Sequence, residues 1–253
     1  MAAVDRLMAE RFGVDVLQSM EHAGRAVAAA ARAMLPGGDP RGRRVLILAG
    51  RGGNGGDGLA AGRHLHAWGA EVEARLAHPP ERLNAPAARQ LAALRALGAA
   101  VVPPPPSPAV EPPPEEAAHA AAPFDPSTGA APVEPAASFD LVVDALLGFG
   151  LAGPPGGHVA ELIRLANAQA APVLAVDLPS GLDAATGHPF APCVRATRTI
   201  TLGLPKTGLL VETAAAVVGS LAVADIGLPP EAYAAIGVEV GPLFALGDPI
   251  EVF

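Results

Sequence analysis

The sequence predicts an α/β fold: a doubly wound, largely parallel, Rossmann-like sheet with helices on both faces and an N-terminal helical extension. Three observations carry this. Continuous apolar runs such as RVLILA (44–49), LVVDALL (141–147) and PVLAVD (172–177) recur along the chain, and strands covered on both faces read as unbroken runs, not alternating ones. Amphipathic helical patterns alternate with these runs, the order expected of a parallel sheet. Finally, GRGGNGGDG (50–58) packs six glycines into nine positions between the first run and a helical pattern. There, bare amides at a helix N-terminus make a ready cradle for phosphate.

Each element follows in order. Leu17, Met20, Gly24, Val27, Ala28 and Ala31 share one helical face within 15–35, which Pro36-Gly37-Gly38 ends. A strand over 44–50, a helix from about Gly56 to Trp68, a strand over 71–77 and a helix over 82–98 come next. Residues 101–137 are dense in proline and alanine without periodicity, and are expected to form a flexible surface insertion within the one domain of residues 1–253. After it, strands ending at Asp144 and Asp177 flank a helix over 158–168. Two late strands, 197–203 and 219–227, are separated by KTGLLVETAAAVV.

Composition excludes several classes of function. The formal charge of −8 and the lack of a lysine/arginine stripe argue against nucleic acid as the main partner. No apolar run approaches the ~20 residues of a membrane span. Early charges of both signs and no long apolar core argue against a secretory signal. The single cysteine, Cys193, excludes an internal disulfide or a multi-cysteine metal site and suits a reducing compartment, so a cytoplasmic protein is expected.

In such sheets ligands sit beyond the carboxyl ends of the strands. Three glycine-flanked acidic features fall there: the loop 50–58 with Asp57, Asp144 with GFGLAGPPGG (148–157), and Asp177 with LPSGLD (178–183). Singly, each could be a helix cap or a turn; together they indicate one shared ligand site. Gly50-x-Gly52-x-x-Gly55 matches a dinucleotide fingerprint formally, but Glu71 opens the second strand and His78 follows it, so the expected ribose-binding acid is missing. An ordinary hydride-transferring enzyme is thereby disfavoured, while phosphate or nucleotide binding survives. Asn54, Asp144 and Ser180 offer an amide oxygen, a carboxylate and a hydroxyl. Such a set suits a hard cation and, with one carboxylate, a monovalent one.

These stretches closely resemble the NAD(P)H-hydrate epimerase family, also called the YjeF N-terminal domain. GRGGNGGDG (50–58), VDALLGFG (143–150), VDLPSGLD (176–183) and LGLPKTGLL (202–210) stand in the family's order, preceded by MEHAGRA (20–26). Two positions depart from the family's pattern: Gly53 and His22 each stand where asparagine is usual. The resemblance implies interconversion of the R and S epimers at C6 of hydrated NADH or NADPH, in repair of the nicotinamide cofactor. It implies one potassium ion per subunit on Asn54, Asp144 and Ser180. A substrate cradle is implied from Gly53, Asn54, Gly55, Gly56 and Asp57 with Gly148, Phe149, Gly150, Leu151, Ala152, Gly153 and Pro154. Asp177 would face the reacting ring as substrate contact and catalytic group. A homodimer is common in the family, and a separate NAD(P)H-hydrate dehydratase would be the functional partner.

The residue chemistry agrees with that activity. Inverting a carbon that bears a hydroxyl and a ring nitrogen needs either loss and return of the hydroxyl or ring opening. Each route needs a positioned proton donor and acceptor, which one carboxylate can supply. Lys206 reads as a phosphate or ring contact, or as a solvated lysine. Glu21 and His22 read as helix packing or a subunit contact. The rival reading is a non-catalytic nucleotide-binding or scaffold module on the same fold, which would need none of Asn54, Asp144, Asp177 and Ser180.

Overall fold

The structure, a computed structural model, describes residue 4 and residues 7–105 and 138–253. Eight strands form one sheet: β1 (Arg44–Ala49), β2 (Glu71–Leu76), β3 (Ala100–Val102), β4 (Leu141–Ala145), β5 (Val173–Val176), β6 (Arg198–Leu202), β7 (Ser220–Ala224) and β8 (Ile250–Glu251). Their order is β3-β2-β1-β4-β5-β6-β7-β8. All neighbours pair in parallel except β8, which runs antiparallel against Ala222 and Val223. The winding therefore reverses between β1 and β4, and the loops after these two strands diverge to leave a crevice.

The helices are α1 (Val16–Met34), α2 (Gly53–Ala67), α3 (Ala85–Ala96), α4 (Gly157–Ala168) and the short α5 (Ala215–Val218) and α6 (Pro230–Ala234). α1 starts at a capping box, in which Asp15 accepts from the Leu17 and Gln18 amides while Gln18 returns a bond to the Asp15 amide. α1, α2 and α3 pack on one face of the sheet over Val45, Ile47, Val143 and Leu174. α4 packs on the other over Leu46, Leu48 and Val142. Both faces are thus covered, as the unbroken apolar strands require. Glu21 pairs with Arg63 and lies 2.9 Å from His64 Nε2, which ties α1 to α2. His22 packs against Gly227. Among the described residues no helix is long and apolar enough to cross a membrane.

Four boundaries differ from the sequence expectation. α2 begins at Gly53, not Gly56, so half of the glycine-rich stretch is its first turn. Glycine is a poor helix former, but close packing overrides propensity here. A Cβ on Gly55 would lie 2.0 Å from the Gly50 carbonyl oxygen, and one on Gly58 would lie 2.4 Å from Ala145 Cβ. Val101 and Val102, placed in the insertion from sequence, complete β3 beside β2; residues 106–137 lie outside the described residues. The helix over 82–98 is shorter, because a 3₁₀ turn occupies Pro80–Arg82 and Asn84 caps α3. β8 was not foreseen, since two residues carry no periodicity.

Gly55→Ala is expected to destabilise the fold by about 3 kcal/mol, at the upper end of overpacking costs, because the clash is with backbone that cannot turn aside. Urea unfolding measures this directly, and an unshifted midpoint would show that the loop has room.

Candidate functional site

The loop after β1 and the loop after β4 close on a cleft of about 530 Å³ at the switch point, a volume in the range of small-molecule sites. Its floor and walls include Arg51, Gly52, Gly53, Asn54 and Asp57 from one loop and Leu147, Gly148, Phe149, Gly150 and Leu151 from the other. Asp177 lines the far end, and Val16 and Met20 of α1 close the side. Of the residues expected to cradle a ligand, Gly55 and Gly56 are buried beneath the cleft, against Gly50 and the Met20 side chain. Their role is to let α2 approach. Ala152, Gly153 and Pro154 lie beyond the lining. A Cβ on Gly53 meets nothing within 4 Å, so this position is open space at the cleft edge.

Asp177 directly follows β5 in the left-handed backbone region, φ 68°, the one non-glycine residue so placed among the described residues. Such a conformation is sparsely populated for a side-chain-bearing residue and clusters at functional sites. It turns the carboxyl toward β6. There Oδ1 accepts from the Leu202 amide at 3.2 Å, from Thr201 Oγ1 at 3.3 Å, and from Lys206 Nζ in a close ion pair. Lys206 Nζ also donates to Thr201 Oγ1 and to the Leu202 carbonyl. Its three donors are spent and its side chain is only 11% exposed. The solvated lysine considered from sequence is thus excluded, and a grip on phosphate is left without a donor. All of these bonds fall on Oδ1. The other oxygen, Oδ2, faces the cleft beside Gly148, 3.9 Å from where a Cβ on that glycine would sit.

Asp144 closes β4 and is fully buried. It accepts from Ser180 Oγ at 2.7 Å, from the Ser180 amide at 2.8 Å and from the Leu146 amide at 3.3 Å. Burial nevertheless pushes its carboxyl up to about 6, against those three bonds. Asn54 donates from Nδ2 to the Leu147 carbonyl at 2.9 Å, and its Oδ1 is buried with no hydrogen-bond donor. Ser180 Oγ in turn accepts from the Leu147 amide at 2.9 Å. The three residues expected to hold a cation are therefore linked around Leu147, with one orphaned acceptor and one desolvated carboxylate among them. Both conditions are relieved by a bound cation. Among the described residues there is no cluster of three or more His, Cys, Asp or Glu side chains suited to a metal, and the Asn54, Asp144 and Ser180 set carries a single carboxylate.

Cys193 lies outside the cleft, buried, with its thiol pushed well up by that burial. It has no part in the site.

Fold and site define a doubly wound α/β protein whose glycine-rich loop and paired carboxylate share a cleft at the switch point. Comparison with known proteins then places it more closely. The family described as "YjeF-related protein N-terminus" matches residues 16–208, and the chain belongs to that family. It is 38% identical to an NAD(P)H-hydrate epimerase of Dehalogenimonas lykanthroporepellens, over 94% of this chain and 84% of that protein. It is 34% identical to an NAD(P)H-hydrate epimerase of Rhodopirellula baltica, over 90% and 82%. It is 36% identical to the bifunctional NAD(P)H-hydrate repair enzyme Nnr of Moorella thermoacetica, and there it spans only 40% of the longer protein. The crystal structure of yeast ynu0, YNL200c, superposes with a TM-score of 0.71 over 99% of this chain and 96% of that one, at 20% identity, which shows a common fold.

Proposed function

We propose that the chain is an NAD(P)H-hydrate epimerase, interconverting the R and S forms of hydrated NADH or NADPH. The observation that carries this is the asymmetric carboxylate of Asp177. Oδ1 is anchored to Thr201, Leu202 and Lys206, while Oδ2 is left facing the cleft. A scaffold has no use for a charged group held in a rare backbone conformation with one oxygen free.

Both routes to inversion move a proton at the hydroxyl oxygen on C6. If the hydroxyl leaves, the carboxyl gives that oxygen a proton as the carbon–oxygen bond breaks, and takes one back when water adds to the other face. If the ring opens, the carboxylate takes the hydroxyl proton as the carbon–nitrogen bond breaks, which leaves an aldehyde at C6 and the electron pair on the ring nitrogen. The nitrogen then adds to the opposite face of the aldehyde, and the carboxyl returns the proton to the new hydroxyl oxygen. Asp177 Oδ2 is the group that exchanges this proton, and Lys206 holds its partner oxygen still. Fixing a proton donor at the reacting atom in this way is worth typically 10²–10⁴-fold. The amides at the start of α2 and the loop 148–151 receive the phosphates.

Asn54, Asp144 and Ser180 would hold potassium, whose charge would favour the phosphates and brace both loops. The product S form would pass to a dehydratase, and a homodimer is the expected assembly.

The test is epimer exchange: hydrated NADH enriched in the R form, incubated with the purified protein and followed by chromatography or NMR. Conversion well above the spontaneous rate is expected; a rate equal to the spontaneous one would overturn the proposal.

A further inference from the structure

The cleft does not end at the glycine loop. It continues to the carboxyl end of β2, where His78 joins Arg51 in its lining. Three strand spacings separate this end from Asp177 along β2-β1-β4-β5, about 14 Å at ~4.8 Å each. With the reacting ring at Asp177 and the pyrophosphate at the start of α2, the second ribose of an extended dinucleotide falls beside His78. In doubly wound dinucleotide sites this is where an acid binds the free 2′-hydroxyl, or an arginine a 2′-phosphate.

Here the strand end carries His78 in place of the acid, and Arg51 and Arg82 flank it, with Glu81 exposed in the same turn as Arg82. The groups whose charge bears on His78 are Arg51, Arg82 and His158. His158 is already bonded to Glu161, at 2.7 Å. Arg51 and Arg82 are in no ion pair among the described residues. Arg82 ends the 3₁₀ turn after β2, and that turn is latched to the glycine loop by the Asn84 amide, which donates to the Arg51 carbonyl at 2.9 Å. The imidazole has a buried Nδ1 with no hydrogen-bond partner. Arg51 and His78 line this end of the cleft, and the exposed Arg82 stands at its rim on the turn held to the glycine loop. Two guanidinium groups free of ion pairs beside an imidazole make a positive patch suited to an anion.

We propose that Arg51, His78 and Arg82 form a subsite for the 2′-phosphate of the substrate, so that hydrated NADPH is preferred over hydrated NADH. The inference rests on the epimerase reading for the placement of the reacting ring.

Calorimetry with two probes that carry no nicotinamide ring, ADP-ribose and 2′-phospho-ADP-ribose, tests it. The phosphorylated probe is expected to bind at least about tenfold more tightly, the scale of a charge-assisted hydrogen bond. His78→Asn should narrow that ratio, Arg82→Ser should bring it to about twofold, and the charge reversal Arg82→Glu should bring it to one or below. Arg82 is exposed, so its replacement tests recognition without disturbing the fold. Equal affinities in the wild type, or an unchanged ratio in Arg82→Glu, would overturn the subsite. Because binding is read without turnover, an inactive protein would overturn the proposed function and leave this preference measurable. An active enzyme with equal affinities would overturn the preference alone.

Discussion

Asp177→Asn is expected to cut R-to-S conversion by about 10³-fold, the middle of the range for losing a positioned proton donor. The replacement is nearly isosteric. Its carbonyl oxygen can still accept from Thr201 and the Leu202 amide, as Oδ1 does now, so the turn after β5 keeps its anchor. What is lost is the capacity of Oδ2 to take up and return a proton, together with the counter-charge of a Lys206 that is almost buried. The second loss costs some stability, so activity must be compared at matched folded fractions, by circular dichroism. Lys206→Met separates the two effects. If lysine acts only by holding the carboxylate, the double replacement should be no slower than Asp177→Asn alone, since residues acting as a unit are not additive. A rate within tenfold of wild type for Asp177→Asn would place the proton transfer elsewhere in the cleft.

Much of this site was legible because its residues mark strand ends. Asp144 and Asp177 each stop a continuous apolar run, and parallel strands bring such stops to one edge. Ser180 follows Asp177 closely enough to reach Asp144 on the neighbouring strand. The expectations that failed depended on packing that no local pattern encodes. Six glycines look like a loop by propensity, yet three-dimensional fit winds four of them into α2. Lys206 reads as a surface residue until β6 carries Thr201 and Leu202 beneath it, against Asp177. His78 read only as a missing acid. Its meaning depends on Arg82, four residues on, and on Arg51 from another loop, which the Asn84–Arg51 backbone bond brings together. The short β3 was hidden because its two valines run straight into prolines.

The cation site yields a prediction of comparable size, on stability. A fully buried carboxylate with only hydrogen bonds for compensation is an expensive arrangement, and the rise of Asp144 to about 6 expresses that cost. The buried, donor-free oxygen of Asn54 beside it is a second cost. One potassium ion would offset both. Potassium chloride should therefore raise the melting temperature of the wild type over choline chloride at equal ionic strength. At a hundred times its dissociation constant the gain is ~2.7 kcal/mol, or roughly 5–10 °C for a chain of this size. Asp144→Asn removes the charge that draws the ion but also the charge that burial penalises. In choline chloride the variant should thus melt within a few degrees of wild type. In potassium chloride it should gain nothing, and Asn54→Ala, which removes the orphaned oxygen together with the Nδ2 bond to the Leu147 carbonyl, should likewise lose most of the response. A wild type indifferent to the choice of cation, or variants that respond as fully as wild type, would show that these three residues are a structural hydrogen-bond network and that the ion, if bound, sits elsewhere.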